Sequence, residues 1–198
     1  MARVSRVRGY VEEMKKKGVL RKIDEAIFLK QGVVFIACAD SNRFWDWYCH
    51  MVSLVDNPKL VHTISDNGGA LQIALDPVRR IKILQSAEKA LIAKGFRKVV
   101  ILSHLFCLIA KEESIIPDKA IGMTVEAAAI ALDYFNLNPL LKGKVEVFPH
   151  YHIDYGDDLA LANGEKLMET YSVNEFSEYN LELPELSDQK GCIAFTNP

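Results

Sequence analysis

The chain has 198 residues, room for one domain or at most two small ones, and 49% of them are apolar, the share a folded core needs. Its 24 basic and 26 acidic side chains leave a formal charge of -2, without the basic excess that nucleic-acid or anionic-membrane binding calls for. Unbroken apolar runs stop at seven residues (33–39), far from the ~20 of a membrane span, and four cysteines at 38, 49, 107 and 192 are too scattered for a disulfide scaffold.

The first thirty residues are charged and lack the apolar core of a secretory signal. They predict a helical arm over about 1–30, with a surface helix from Arg8 to Lys17 that is either a solvated face or a reach toward a partner subunit. Val33 to Ala37 is short, β-branched and apolar throughout, as a strand covered on both faces must be. A helix carrying Trp45, Trp47, Cys49 and His50 is expected to begin near Arg43, and Lys59 to Ile64 reads as a second strand. Asp76-Pro77 opens a helix, with Asp as cap and Pro at the first helical position, and Gly95 closes it. Lys98 to Leu102 is a third strand, Pro117 to Phe135 a helix, and Val145 to Phe148 a fourth strand. The tail after Asn180 is polar and aperiodic. Strands alternating with helices predict a single α/β domain over 1–198, a mostly parallel sheet flanked by helices.

Several common sites are absent. There is no G-x-G dinucleotide fingerprint, no P-loop, no G-x-S-x-G elbow and no H-E-x-x-H pair. What remains is a thiol–imidazole set. Cys38 follows the strand at 33–37, and His104 and Cys107 follow the strand at 98–102. The carboxyl ends of parallel strands open into the crevice where ligands bind. Two such ends can bring two thiolates and one imidazole together, a ligand set that zinc accepts with a fourth position left open. Taken singly, each of the three also fits a small or hydrogen-bonded core residue. Asp40 stands two residues beyond Cys38. It is placed to accept a proton from metal-bound water, to be a further metal ligand, or to cap the following helix. His150 and His152 share one face of a strand and, like His50, read as packing residues before a second metal pair or a proton shuttle.

These residues resemble the β-class carbonic anhydrases. Cys38-Ala39-Asp40-Ser41 is similar to that family's Cys-x-Asp-Ser-Arg segment, and Ser103-His104-Leu105-Phe106-Cys107 to its Gly-His-x-x-Cys-Gly segment. Between them, Val61 to Gly69 resembles its Ile-Arg-Asn-Ala-Gly stretch, and Asn163-Gly164 near Tyr155 loosely resembles a late hairpin. The resemblance implies a β-carbonic-anhydrase-like fold, with zinc held by Cys38, His104 and Cys107 and Asp40 as the nearby carboxylate. It implies a lyase, a carbonate dehydratase, that converts carbon dioxide reversibly to bicarbonate by zinc-bound hydroxide. It also implies a homodimer or larger homo-oligomer. Apolar neighbours such as Phe106 and Leu108 would wall the carbon dioxide side.

The chain departs from the pattern where substrate and water would meet. Asn42 stands in place of the family arginine, and Arg43 comes one position later, about 100° further round a helix. Arg43 is the candidate to take over that role beside Asp40 in catalysis; if it cannot, Asp40 is free to close the metal site. Ser103 and Leu108 replace glycines, and Ser65-Asp66 stands where the family has Arg-Asn. Three rivals follow: a silent zinc-binding homologue closed by Asp40, a hydrolase of carbonyl sulfide or carbon disulfide, and a metal-free protein using Cys38 and Cys107 as redox thiols. The thiols and the missing signal place the expected protein in the cytoplasm, acting on a small molecule and on neither nucleic acid nor membrane.

Overall fold

A computed structural model describes residues 2–105, 107–154 and 168–173, apart from the side chains of 2–6, 41–43, 154 and 168. Helix α1 (Ala2–Lys16) leads into a short strand, β1 (Leu20–Arg21). There follow β2 (Val33–Cys38), α2 (Ser41–Val55), β3 (Val61–Asp66), α3 (Ala70–Leu75) and α4 (Pro77–Lys94). The second half runs β4 (Lys98–His104), α5 (Leu108–Glu112), α6 (Pro117–Leu137), β5 (Glu146–Asp154) and β6 (Met168–Val173).

The six strands form one sheet in the order β1-β6-β5-β4-β2-β3. The three pairings that join β3, β2, β4 and β5 are parallel, and β6 and β1 add two antiparallel pairings at one side. This is the α/β sheet flanked by helices that the alternation of elements predicts. All six residues of β2 are buried, because both faces of the sheet are covered. Val33, Phe35, Val100 and Leu102 face the layer built by α1 and α2, where Val11, Met14, Trp47 and Met51 meet them. Val34, Ile36, Val99 and Ile101 face α4 and α6, where Leu84, Ala87, Ala127, Ala131 and Phe135 meet them.

Local chemistry accounts for the boundaries. The Asp76 carboxylate accepts the Val78 and Arg79 N–H groups at 2.8 and 3.1 Å, and Gly95 takes the left-handed conformation at φ 69° that ends α4. Arg80 donates from α4 to the Ile73 and Ala74 carbonyls, so α3, which has no sequence signal of its own, is tied to its neighbour. Strand β3 starts two residues later than its sequence pattern suggests, because Pro58 begins a turn of 3-10 helix capped by Asn57. Helix α6 has the length and hydropathy of a membrane span, yet nine of its side chains are buried, several of them against the sheet.

The N-terminal helix differs most from expectation. It starts at Ala2, well before Arg8, and it packs on its own chain: Val11 and Met14 are fully buried in the core. A polar contact fixes this docking. The Tyr10 hydroxyl donates to the Asp118 carboxylate at 2.8 Å, joining α1 to the first turn of α6. Burial raises the pKa of both groups, with the Tyr10 hydroxyl pulling Asp118 back down. Replacing Tyr10 by Phe is expected to cost about 2 kcal/mol by stranding a buried acceptor. A thermal melt should show a loss of roughly 4–8 °C for a chain of this size; an unchanged midpoint would mean the contact does not anchor α1.

Candidate metal centre

Strands β2 and β4 are adjacent and parallel, with Ile36 level with Ile101. Their last residues, Cys38 and His104, therefore emerge at the same edge of the sheet. Three residues on, Cys107 stands immediately before α5. The Cys38 and Cys107 sulfurs and a His104 ring nitrogen lie within 4.8 Å of one another, and all three residues are buried. Among the described residues this is the one group of three or more such side chains that could hold a metal ion.

The donor set fits a tetrahedral ion. Bonds of about 2.3 Å to sulfur and 2.0 Å to nitrogen set donor separations near 3.5–3.8 Å, a small contraction from the arrangement seen. The histidine is oriented for the same task. Its Nδ1 lies 3.0 Å from the Leu105 carbonyl, which can only accept, so Nδ1 carries the proton. The lone pair is thereby left on Nε2, which is buried and has no hydrogen-bond partner. A buried polar atom left so costs about 1–3 kcal/mol unless something occupies the space before it. This is the arrangement of a histidine ligand whose second nitrogen is held by a carbonyl.

The two thiols are electrically unequal. The Cys107 thiol beside it, together with burial, pushes the Cys38 pKa up to about 12. The contact with Cys38 brings Cys107 down to about 7, against the opposing effect of burial. The backbone N–H groups of Ala110 and Ile109 at the start of α5 help lower it. Gly68 N–H also points at the Cys38 sulfur, at 3.2 Å, and favours the thiolate there. That contact depends on the turn after β3. A Cβ on Gly69 would fall 2.4 Å from the Cys38 backbone nitrogen, and its φ of 46° disfavours a side chain. Nothing in the spacing of Cys38, His104 and Cys107 marked Gly68 as a partner; the Gly68-Gly69 pair after a strand was the available signal.

The other predicted residues fall as follows. Asp40 is half-buried directly before α2, and its charge reaches Cys107, where it opposes ionisation. Its backbone carbonyl accepts the Phe44 N–H at 2.9 Å in the first turn of α2. The side chains of Asn42 and Arg43 lie outside the described residues, as do Phe106, Tyr155, Asn163, Gly164, Cys192 and the tail. Ser103 turns away from the metal centre and hydrogen-bonds to Thr124 on α6, so its departure from glycine does not obstruct the pocket. Leu108 projects outward, 58% exposed. Trp47 is fully buried against His104, whereas Trp45 is 68% exposed. Cys49 is exposed and takes no part. His150 and His152 do share a face: His152 is level with His104 and bonds to Thr170 Oγ1 at 2.9 Å, while His150 meets the Phe28 ring edge-on. Neither belongs to a metal-ligating group of three among the described residues.

No known family's sequence profile and no curated protein sequence matches the chain. Solved structures do. The β-carbonic anhydrase CafD of the filamentous fungus Aspergillus fumigatus superposes with a TM-score of 0.51 at 13% identity, over 78% of this chain and 99% of that one. Its C39A mutant gives 0.48 at 12% identity, over 78% and 99%. The carbonic anhydrase of Streptococcus mutans gives 0.41 at 12% identity, over 86% and 96%. The chain thus has the β-carbonic anhydrase fold, at a sequence distance where fold alone is established.

The buried histidines make a pH prediction. Burial, with His50 nearby, holds His150 neutral by lowering its pKa to about 3. The unfolded chain takes up that proton at about 6.5. A depressed folded pKa means full stability above about 6.5 and progressive loss as pH falls toward 3, at roughly 1.4 kcal/mol per pH unit for one proton. Burial lowers His50 in the same direction. Urea midpoints measured between pH 6.5 and 5 should fall in the native chain and fall less steeply in His150→Leu. Equal slopes would show that His150 is not held neutral.

Proposed function

We propose that Cys38, His104 and Cys107 hold one zinc ion and that the chain is a divergent β-class carbonic anhydrase, interconverting carbon dioxide and bicarbonate. The observation that carries this reading is the buried His104 Nε2, without a hydrogen-bond partner and beside two cysteine sulfurs at the carboxyl edge of parallel strands. Zinc in a three-ligand site supplies a Lewis acid that makes hydroxide available near neutral pH.

The chain's own residues would contribute the rest. Both cysteines give up their protons on binding the ion, Cys107 the more readily. Two thiolates offset the dication, so the buried site carries little net charge. The Leu105 carbonyl keeps the proton on His104 Nδ1 and Nε2 free. Asp40, held at the entry to α2, would orient the attacking water by accepting its hydrogen bond and take up the proton that the reaction releases.

A second reading concerns the same carboxylate. Asn42 stands where the family has arginine and Arg43 follows one position later, and in this reading Asp40 would serve as the fourth metal ligand. Reduced thiols are required in either case, which favours the cytoplasm. The homodimer implied by the resemblance would find an apolar contact in the stacked aromatic rings of Phe44, Trp45 and Tyr48 on α2.

Two measurements test this. Metal analysis of the purified chain should give close to one zinc per chain, and Cys107→Ser or His104→Gln should abolish it; a metal-free native protein would remove the proposal. Stopped-flow hydration of carbon dioxide from pH 6.5 to 9 should then show activity throughout if Asp40 stands off the metal. Activity confined to the alkaline end, and restored near neutrality by Asn42→Arg, is the expected result of a site closed by Asp40. A zinc-loaded protein inactive across the whole range would refute the hydratase.

A further inference from the structure

The Trp47 side chain has no exposed surface. Its neighbours give it a more specific place. The indole centroid lies 4.9 Å from the His104 ring, with the planes tilted by 43°, and it meets His152 edge-on at 5.8 Å and 75°. The indole Nε1 is buried and has no hydrogen-bond partner. Hydrogen bonding therefore gives no reason for an indole at this position.

We propose that Trp47 is a positioning residue for the metal centre, bracing the His104 imidazole so that Nε2 stays aimed between the Cys38 and Cys107 sulfurs. The proposal rests on the zinc reading above and adds to it the means by which the histidine is held. His104 Nδ1 is anchored by a single hydrogen bond to Leu105 O, and one hydrogen bond leaves a ring free to swing about its axis. A rigid wall on the ring removes that freedom. The wall is itself fixed, because Met51, Leu54 and Val55 anchor the rest of α2 in the same core cluster. The backbone under His104 is pinned too, since Leu105 N–H donates to the His152 carbonyl at 3.0 Å. A metal-bound imidazole also carries more positive charge than a free one, and an aromatic surface next to it stabilises that charge. Removing the hydrogen-bonding outer-shell partners of metal ligands typically changes affinity by about 10–100-fold, and a brace on the same ring is expected to act at the lower end of that range.

The test compares Trp47→Leu, which keeps apolar bulk without a ring, with Trp47→Phe, which keeps a ring and discards the unpaired N–H. Zinc dissociation constants are measured by competition with a chromogenic chelator, and cobalt spectra report the symmetry of the site. Trp47→Leu is expected to weaken zinc binding about tenfold or more and to change the cobalt ligand-field bands, while Trp47→Phe stays within about threefold of native. Native affinity in Trp47→Leu, or an equal loss in both variants, would overturn the proposal. If Trp47→Leu does not fold, the comparison of Trp47→Phe with native decides, together with a Trp45→Phe protein whose sole remaining indole is Trp47. In that protein, cobalt should quench the emission in step with the cobalt–thiolate absorption; unquenched emission overturns the placement. A native chain that binds neither zinc nor cobalt refutes the metal reading itself, whereas native binding with an unaffected Trp47→Leu refutes only the bracing.

Discussion

The parallel, in-register pairing of β2 with β4 is the constraint on which the site depends. Cys38 is remote in sequence from both His104 and Cys107, the two donors that complete the group. They meet because Ile36 lies level with Ile101, and the two strands then run out together at one edge. A slip of one residue would displace one donor by about 3.3 Å, nearly the whole separation between donors around a tetrahedral ion. The pairing is enforced from both sides, since each strand carries apolar residues on both faces and each face has its own helical layer. The precision of the pocket is thus a consequence of core packing.

Helix α2 links that packing to the chemistry. Its buried side places Trp47, His50, Met51 and Leu54 against the sheet, and Asp40 at its start neighbours the pocket. The layer beneath it is unusually polar for a core. Among the described residues, buried nitrogens of Trp47, His50, His104 and His150 lack hydrogen-bond partners. Stability alone does not select such groups, because each costs more than an apolar replacement. For His104 the proposed ion would supply the compensation, and the same logic gives a reason for its ring to be held and not merely buried.

The departures from the β-carbonic anhydrase pattern separate by direction. Ser103 hydrogen-bonds to Thr124 across to α6, which lets a side chain replace glycine without touching the donors. Leu108 points to solvent. Asp66 is engaged by Arg79 at 3.4 Å, and its carbonyl accepts the Ala39 and Gly69 N–H groups, so it secures the turn that delivers Gly68 N–H to the Cys38 sulfur. The departure on which the proposed chemistry turns is the one beside Asp40, where Asn42 stands in place of arginine.

Much of the architecture was legible in the chain. Apolar β-branched runs marked β2 and β4, and Asp76, Pro77 and Gly95 marked the ends of α4, because burial on both faces and backbone capping are local demands that residue types answer directly. The cysteines and histidine at strand ends named the donor set for the same reason. Tertiary structure alone decided which helices cover which face, that α1 folds back through Tyr10 onto Asp118, and that Ser103 turns away from the pocket. It also brought Trp47 against His104 and the Gly68 N–H to the Cys38 sulfur, contacts between residues remote in sequence. Periodicity tells which side of an element is buried, but what that side touches is determined only when the whole sheet closes.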